Sequence, residues 1–139
     1  MQLGSRLAKL LKAGDIVCLY GDLGTGKTTL VKGMAKGLKI NEAHVHSPTF
    51  VLMNLYEGRI PLFHFDFYRL DDIEQIGMIG YDEFLYDNGI AVVEWAEKLK
   101  SLTPKEYLHI QLKHRNEDQR VIKMSARGKR YKEIIEKIK

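Results

Sequence analysis

The sequence predicts an α/β domain with a mostly parallel central sheet, antiparallel hairpins and flanking helices. Three observations support this fold class: short apolar runs typical of buried strands, a glycine-rich segment between one such run and a helical pattern, and two pairs of alternating runs separated by polar turns. With 139 residues, of which 45% are hydrophobic and 29% charged, the chain has the size and composition of a globular domain with one core. We therefore expect residues 1–139 to form a single domain.

The N-terminal region predicts a helix, a strand and a second helix. Leucines recur at helical spacing through residues 3–11, and a break at Gly14 separates them from the apolar run Ile16–Tyr20. The glycine-rich segment Gly21–Gly26 follows at once, and Lys27–Leu38 then carries apolar residues on one helical face. The expected order is therefore strand, loop and helix.

Two extended runs in the middle of the chain predict a hairpin. Phe50–Tyr56 and Ile60–Tyr68 are separated by a short connection that contains a glycine. Aromatic and polar side chains alternate in the second run, so a strand would place them on opposite faces. The aromatic set is Phe63, Phe65 and Phe67, and the alternating set is His64, Asp66 and Tyr68. Chemistry is expected on the polar face.

The second half of the chain predicts the remaining elements. An acidic cap at Asp71 or Asp72 begins a helix to about Phe84, which glycines interrupt near Gly80. Ile90–Trp95 predicts a short buried strand. The elements after it are a helical turn or two at Ala96–Leu102, a hairpin with strands around Leu108–Leu112 and Val121–Lys123, and a helix from Lys129 onward.

The glycine-rich segment matches the phosphate-binding pattern G-x-x-x-x-G-K-[ST]. Its residues are Gly21, Asp22, Leu23, Gly24, Thr25, Gly26, Lys27 and Thr28. The glycines let successive backbone N–H groups curl around phosphate oxygens, and the N-terminus of the following helix favours a bound anion. The pattern predicts that Lys27 contacts the β- and γ-phosphates of a nucleoside triphosphate, that Thr28 ligates Mg²⁺, and that Thr29 adjoins the nucleotide. A simple connecting turn would not require the Lys-Thr pair.

Hydrolysis needs more than this loop, because the metal needs a further carboxylate and the attacking water needs an orienting group. Glu94 ends the apolar run Ile90–Val93, the position of a Walker B carboxylate at the carboxyl end of a buried parallel strand. Asp66 on the polar face of the hairpin is the second candidate. An ordinary solvent-exposed acid is the alternative for each. Trp95 can be either an aromatic residue of the core or a residue that lies against the nucleotide.

The composition excludes several classes of protein. The longest apolar runs are far shorter than the roughly 20 residues that a membrane helix needs, and Lys9, Lys12 and Asp15 interrupt any secretory signal. We therefore expect no membrane association. Cys18 is the single cysteine, so no intramolecular disulfide can form and a buried thiol in the reducing cytoplasm is expected.

The basic C-terminal tail leaves two interpretations open. Residues 127–139 contain six basic and two acidic side chains, a surplus equal to the net charge of +4 for the whole chain. The tail can be an amphipathic helix with a solvated charged face, in which Ile134, Ile135 and Ile138 pack inward. It can also contact RNA.

Several separated blocks of the sequence resemble one family. They are the glycine-rich loop, Ser47–Phe50, His64–Leu70 and Glu94–Trp95, and Gly80 with Glu83 resembles a further Gly-x-x-Glu segment. In these blocks the chain is similar to bacterial TsaE (YjeE) proteins. Those are small P-loop ATPases that act with TsaD and TsaB to make threonylcarbamoyladenosine next to the anticodon of certain tRNAs.

The resemblance implies a P-loop NTPase fold, ATP and Mg²⁺ as cofactors, and a catalytic role for Lys27. It further implies that Thr49 belongs to a switch-like loop near the γ-phosphate and Mg²⁺. Asp66 would order the attacking water or the hydration shell of the metal, and Glu94 would be the metal-side carboxylate beside Thr28. Hydrolysis would be weak without TsaD and TsaB, and any tRNA contact would come through that complex.

The sequence departs from the family in two places. Thr25 stands where the family usually has alanine, at a position that needs only a small side chain. The first strand typical of the family is expected to be missing or shortened, which could leave a sheet edge unpaired.

Other functions remain as alternatives. A small-molecule kinase would share the loop but would also need an acceptor pocket and usually an arginine-bearing lid, which the sequence lacks. A GTPase is disfavoured because neither an N-K-x-D nor a D-x-x-G motif occurs. A nucleotide-gated RNA-binding module would depend on the basic tail alone.

Overall fold

The computed structural model describes residues 2–21, 26–41, 43, 45, 53–68, 81, 83, 88–117 and 119–138. The helices and strands are α1 (Gln2–Leu10), β1 (Ile16–Tyr20), α2 (Lys27–Gly37), β2 (Met53–Tyr56), β3 (Leu62–Asp66), β4 (Ile90–Glu94), a 3-10 helix (Ala96–Leu102), β5 (Tyr107–His114), β6 (Arg120–Arg127) and α3 (Lys129–Ile138).

The strands form one six-stranded sheet in the order β2-β3-β4-β1-β5-β6. The four inner strands pair in parallel, while β2 and β6 are antiparallel to their neighbours. This arrangement confirms the predicted mostly parallel sheet with two antiparallel hairpins. It also brings the carboxyl ends of β3, β4 and β1 side by side, the edge at which parallel sheets commonly bind ligands.

The two faces of the sheet bury different side chains. Helices α1, α2 and α3 cover one face, where Leu7 of α1, Met34 of α2 and Ile134 of α3 join a single apolar cluster. The other face carries an aromatic cluster that includes Phe63, Phe65, Phe67 and Tyr81. The alternation predicted for β3 is therefore confirmed, and the polar side chains of that strand lie on the helix-bearing face.

Helix α1 lies directly on α2 because Gly4 has no side chain. A β-carbon at Gly4 would lie 2.5 Å from the carbonyl oxygen of Leu30 and 2.8 Å from the backbone nitrogen of Met34. Both are backbone atoms of α2, so neither can move aside without moving the helix. This close approach holds the helix that follows the glycine-rich loop against the core.

The boundaries differ from the sequence predictions in small ways. Strand β3 ends at Asp66, and β4 ends at Glu94 because Trp95 adopts a left-handed conformation, with φ 58°. The helix predicted from Asp71 or Asp72 lies largely outside the described residues, as does the start of the first hairpin. Within the part of the chain that the structure describes, no helix combines the length and apolar character that crossing a bilayer requires.

Candidate nucleotide-binding site

The glycine-rich loop leaves β1 and enters α2 through two glycines with positive φ. Gly21 has φ 143° and Gly26 has φ 97°, conformations that favour glycine. Gly26 is also the N-cap of α2, and its carbonyl accepts a hydrogen bond from the backbone N–H of Leu30 at 3.0 Å. The positions between them that were assigned to nucleotide binding, Asp22, Leu23, Gly24 and Thr25, lie outside the described residues.

The side chain of Lys27 is held at the mouth of this loop. It is only 5% exposed, donates a hydrogen bond to the carbonyl of Gly21, and places its ammonium nitrogen 3.9 Å from the ring centroid of Trp95. The aromatic face attracts the cation. Trp95 is half-buried and lies beside the predicted phosphate-binding lysine. This position is compatible both with a core aromatic residue and with a contact to the nucleotide.

Thr28 of α2 and Glu94 of β4 form a polar pair at the carboxyl end of that strand. The Thr28 hydroxyl lies 3.2 Å and 3.4 Å from the two carboxylate oxygens of Glu94, to which it donates. Glu94 is 2% exposed, so the alternative of a solvent-exposed acid is wrong for this residue. A carboxylate buried to this extent needs polar partners, and the first turn of α2 supplies one.

His64 supplies another partner and was not among the predicted site residues. Its Nε2 lies 2.5 Å from Oε2 of Glu94, and the histidine is fully buried. Within the described residues, its Nδ1 has no hydrogen-bond partner. The alternation along β3 did indicate the correct face for His64, but that pattern gives no sign of burial or of a partner on another strand.

The remaining predicted site residues are Asp66, Thr29 and Thr49. Asp66 pairs in register with Glu94 and is half-buried, and its carboxylate accepts a hydrogen bond from the backbone N–H of Tyr68 at 3.0 Å. Thr29 is exposed on the first turn of α2. Thr49 lies outside the described residues.

The other face of the sheet next to the loop carries neutral aromatic groups. Tyr20, the last residue of β1, stacks on His109 of β5 with the ring centroids 4.1 Å apart. Burial, with a hydrogen bond to Tyr107, raises the pKa of Tyr20, and burial near Arg127 lowers the pKa of His109. Both rings are therefore neutral near pH 7.

The donor set fits Mg²⁺ that arrives with a phosphate ligand. Within the described ranges, no group of three or more His, Cys, Asp and Glu side chains could hold a metal ion. Mg²⁺ commonly takes only one or two protein carboxylates and completes its shell with phosphate oxygens and water. The Thr28 hydroxyl and the Glu94 carboxylate are oxygen donors of this kind at the N-terminus of α2.

The protein thus belongs to the P-loop class of α/β folds, since its loop connects a buried parallel strand to a helix that opens with Lys-Thr beside a strand-end carboxylate. The family model described as "Threonylcarbamoyl adenosine biosynthesis protein TsaE" matches residues 1–122. The chain belongs to this family.

Individual relatives agree with that assignment. The chain is 41% identical over 132 residues to the tRNA threonylcarbamoyladenosine biosynthesis protein TsaE of Bacillus subtilis, covering 94% of this chain and 82% of the relative. It is 43% identical over 110 residues to the TsaE protein of Treponema pallidum, covering 79% and 81%. The crystal structure of Bacillus subtilis YdiB superposes with a TM-score of 0.82 and 35% identity, over 98% of this chain and 84% of that one.

Proposed function

We propose that the protein binds ATP with Mg²⁺ and hydrolyses it as the ATPase component of tRNA threonylcarbamoyladenosine biosynthesis, in which the adenosine next to the anticodon is modified. The observation that carries the proposal is the hydroxyl of Thr28 against the buried carboxylate of Glu94, 3.2 Å away, at the start of the loop's helix. Membership of the TsaE family and the similarity to relatives named as tRNA threonylcarbamoyladenosine biosynthesis proteins support the same pathway.

Each residue of the site has a proposed task. Lys27 would exchange its hydrogen bond to the Gly21 carbonyl for the β- and γ-phosphates, while the amides of residues 21–26 surround them. Thr28 and Glu94 would hold Mg²⁺, which neutralises charge on the phosphates when it is bound. Asp66, beside Glu94 on the next strand, would complete the metal's hydration shell or orient the attacking water.

Three further residues complete the proposed site. Thr49 would approach the γ-phosphate, and Thr29 and Trp95 would border the nucleotide. The whole chain would work as one domain in the cytoplasm, with TsaD and TsaB as partners and any tRNA contact made through that complex.

The proposal is tested by measuring phosphate release from ATP with and without TsaD and TsaB. Release should be slow for the protein alone and should rise when both partners are added. Lys27→Ala should lower it about 10²-fold or more, because a positioned cation at the phosphates is removed. Lys36→Ala is the matched control, since Lys36 is an exposed lysine at the other end of the same helix.

Two outcomes would contradict the proposal. Full turnover by Lys27→Ala would show that the loop is not the catalytic site. Transfer of phosphate to a small molecule, in place of free phosphate, would support the kinase alternative.

A further inference from the structure

The buried histidine on β3 contacts the site from the side opposite the loop. In the sheet, Val92 is the register partner of His64 and Glu94 that of Asp66. His64 therefore reaches diagonally to Glu94, whose Oε2 lies 2.5 Å from its Nε2. Exposure is 0% for the histidine and 2% for the glutamate, so water does not compete for this contact.

The Glu94 carboxylate is thereby held between two elements. Thr28 on α2 lies 3.2 Å from one oxygen and 3.4 Å from the other, while His64 on β3 contacts the second oxygen. A carboxylate with donors on both sides has little freedom to rotate, because any rotation breaks a hydrogen bond in a buried setting.

Within the described residues, the contact with Glu94 is the hydrogen bond that the His64 imidazole makes. Its Nδ1 lacks a hydrogen-bond partner there, and donation to a carboxylate places the ring proton on Nε2. Its described neighbours include the buried apolar residues Leu62 and Val92, its register partner Asn54 and the ring of Tyr56, with the ring centroids 6.2 Å apart. Burying an imidazole completely costs desolvation free energy, and the bond to Glu94 helps to offset that cost.

We propose that His64 is a positioning residue for metal binding, which fixes the Glu94 carboxylate so that Mg²⁺ meets a preformed pair of oxygen donors. This inference rests on the proposed nucleotide function. Groups that hold a metal ligand by hydrogen bonds typically change metal affinity about 10–100-fold when they are replaced. A histidine that only stabilised the fold would affect binding with and without metal alike.

The test separates metal binding from nucleotide binding and needs no turnover. A non-hydrolysable ATP analogue is titrated at a series of Mg²⁺ concentrations and again in a chelator. Binding is followed by the fluorescence of Trp95, the single tryptophan of the chain. Its ring lies 3.9 Å from the Lys27 ammonium, so it should report occupancy of the loop.

Three variants define the expected pattern. His64→Leu removes the donor and should raise the Mg²⁺ concentration at half-saturation about 10–100-fold, with metal-free affinity changed less than about twofold. His64→Gln keeps an N–H donor of similar reach and should stay within about threefold of the wild type. Leu62→Val, on the same strand and face, is the control for general weakening and should leave the Mg²⁺ requirement unchanged.

The possible results have distinct meanings. An unchanged Mg²⁺ requirement in His64→Leu overturns the inference, as does an equal loss with and without metal. If His64→Leu does not fold, His64→Asn takes its place, because its amide is too short to reach Glu94 and should give the same loss. Failure of the wild type to bind the analogue at all would instead contradict the proposed function.

Discussion

At the scale of single residues, the site is defined by how deeply its acid is buried. Glu94 contacts Thr28 and His64 and is almost inaccessible to water. A buried carboxylate stabilises a fold only weakly, since its desolvation offsets much of what its partners contribute. The proposed Mg²⁺ would explain its placement better than stability does.

Replacing this acid by its amide separates the two explanations. Glu94→Gln should raise the Mg²⁺ concentration for half-maximal phosphate release at least about tenfold, because a neutral amide is a poorer Mg²⁺ ligand. Its free energy of unfolding, measured with urea, should be unchanged or higher, because a buried charge is removed. The control Glu97→Gln changes an exposed acid three residues further on. An unaltered Mg²⁺ requirement together with a large loss of stability would assign Glu94 a structural role.

At the level of helices and strands, the position of the glycine-rich loop depends on the contacts that hold the helices around β1. Helix α1 packs on α2 through Gly4. Helix α3 is joined to the turn before β1, because Arg130 forms an ion pair with the buried Asp15 at 2.9 Å and donates to the carbonyl of Leu10. Within the basic tail, Lys129–Ile138 thus forms a packed helix with Ile134 and Ile138 buried and Ile135 partly buried, as the amphipathic interpretation predicts. Arg130 is already engaged within the fold.

The Gly4 contact predicts that alanine at this position destabilises the fold, the opposite of its usual effect in a helix. Alanine is normally favoured over glycine inside a helix by about 0.5–1 kcal/mol. Gly4→Ala should nevertheless lower the free energy of unfolding by about 1–3 kcal/mol, because its methyl group would overlap the backbone of α2. Urea unfolding followed by circular dichroism measures this, with the exposed Gln2→Ala as control. A stabilised Gly4→Ala protein would show that α1 and α2 are not held in this contact.

A hydrogen bond between α3 and β1 predicts that the stability of the fold decreases at alkaline pH. The Tyr131 hydroxyl accepts a hydrogen bond from the backbone N–H of Ile16 at 2.9 Å, and burial raises the Tyr131 pKa from 10.0 to about 12. Between these pH values the unfolded chain loses this proton while the folded chain keeps it, so its stabilising contribution declines as the pH rises.

Tyr131→Phe isolates that contribution. At neutral pH the variant should be less stable than the wild type by about 1–3 kcal/mol, since the amide of Ile16 is left without its acceptor. From pH 10 towards 12 the difference in the free energy of unfolding between the two proteins should shrink. Only the wild type has the Tyr131 hydroxyl, whose proton the unfolded chain loses in this range. Urea unfolding at each pH gives the difference, and a gap that stays constant or widens would contradict the assignment.

At the scale of the whole molecule, the local pattern predicted the elements and the class of fold. The apolar runs gave β1 and β4, the alternation in residues 60–68 gave the faces of β3, and the Lys-Thr pair at the helix start identified the loop. Each of these features depends on neighbours in sequence, where period and composition are informative. The position of Glu94 at a strand end followed from the same pattern.

The contact between His64 and Glu94 could not be predicted in this way. A period-two pattern shows which face of the sheet a side chain occupies. How deeply that side chain is buried depends on which strands flank its own strand in the sheet. That order places β4 between β3 and β1, and it arises from long-range pairing. His64 was therefore correctly assigned to the polar face, although its burial and partner were missed.

We propose that the glycine-rich loop and the Thr28–Glu94 pair together bind a nucleoside triphosphate with its metal. Isothermal titration calorimetry of the folded protein with ATP, in the presence and absence of Mg²⁺, tests it most directly. We expect saturable binding at one site per chain that is markedly tighter with Mg²⁺ and is lost in Lys27→Ala. Absence of any binding heat with Mg²⁺ and ATP across several temperatures, from protein shown to be folded, would contradict it.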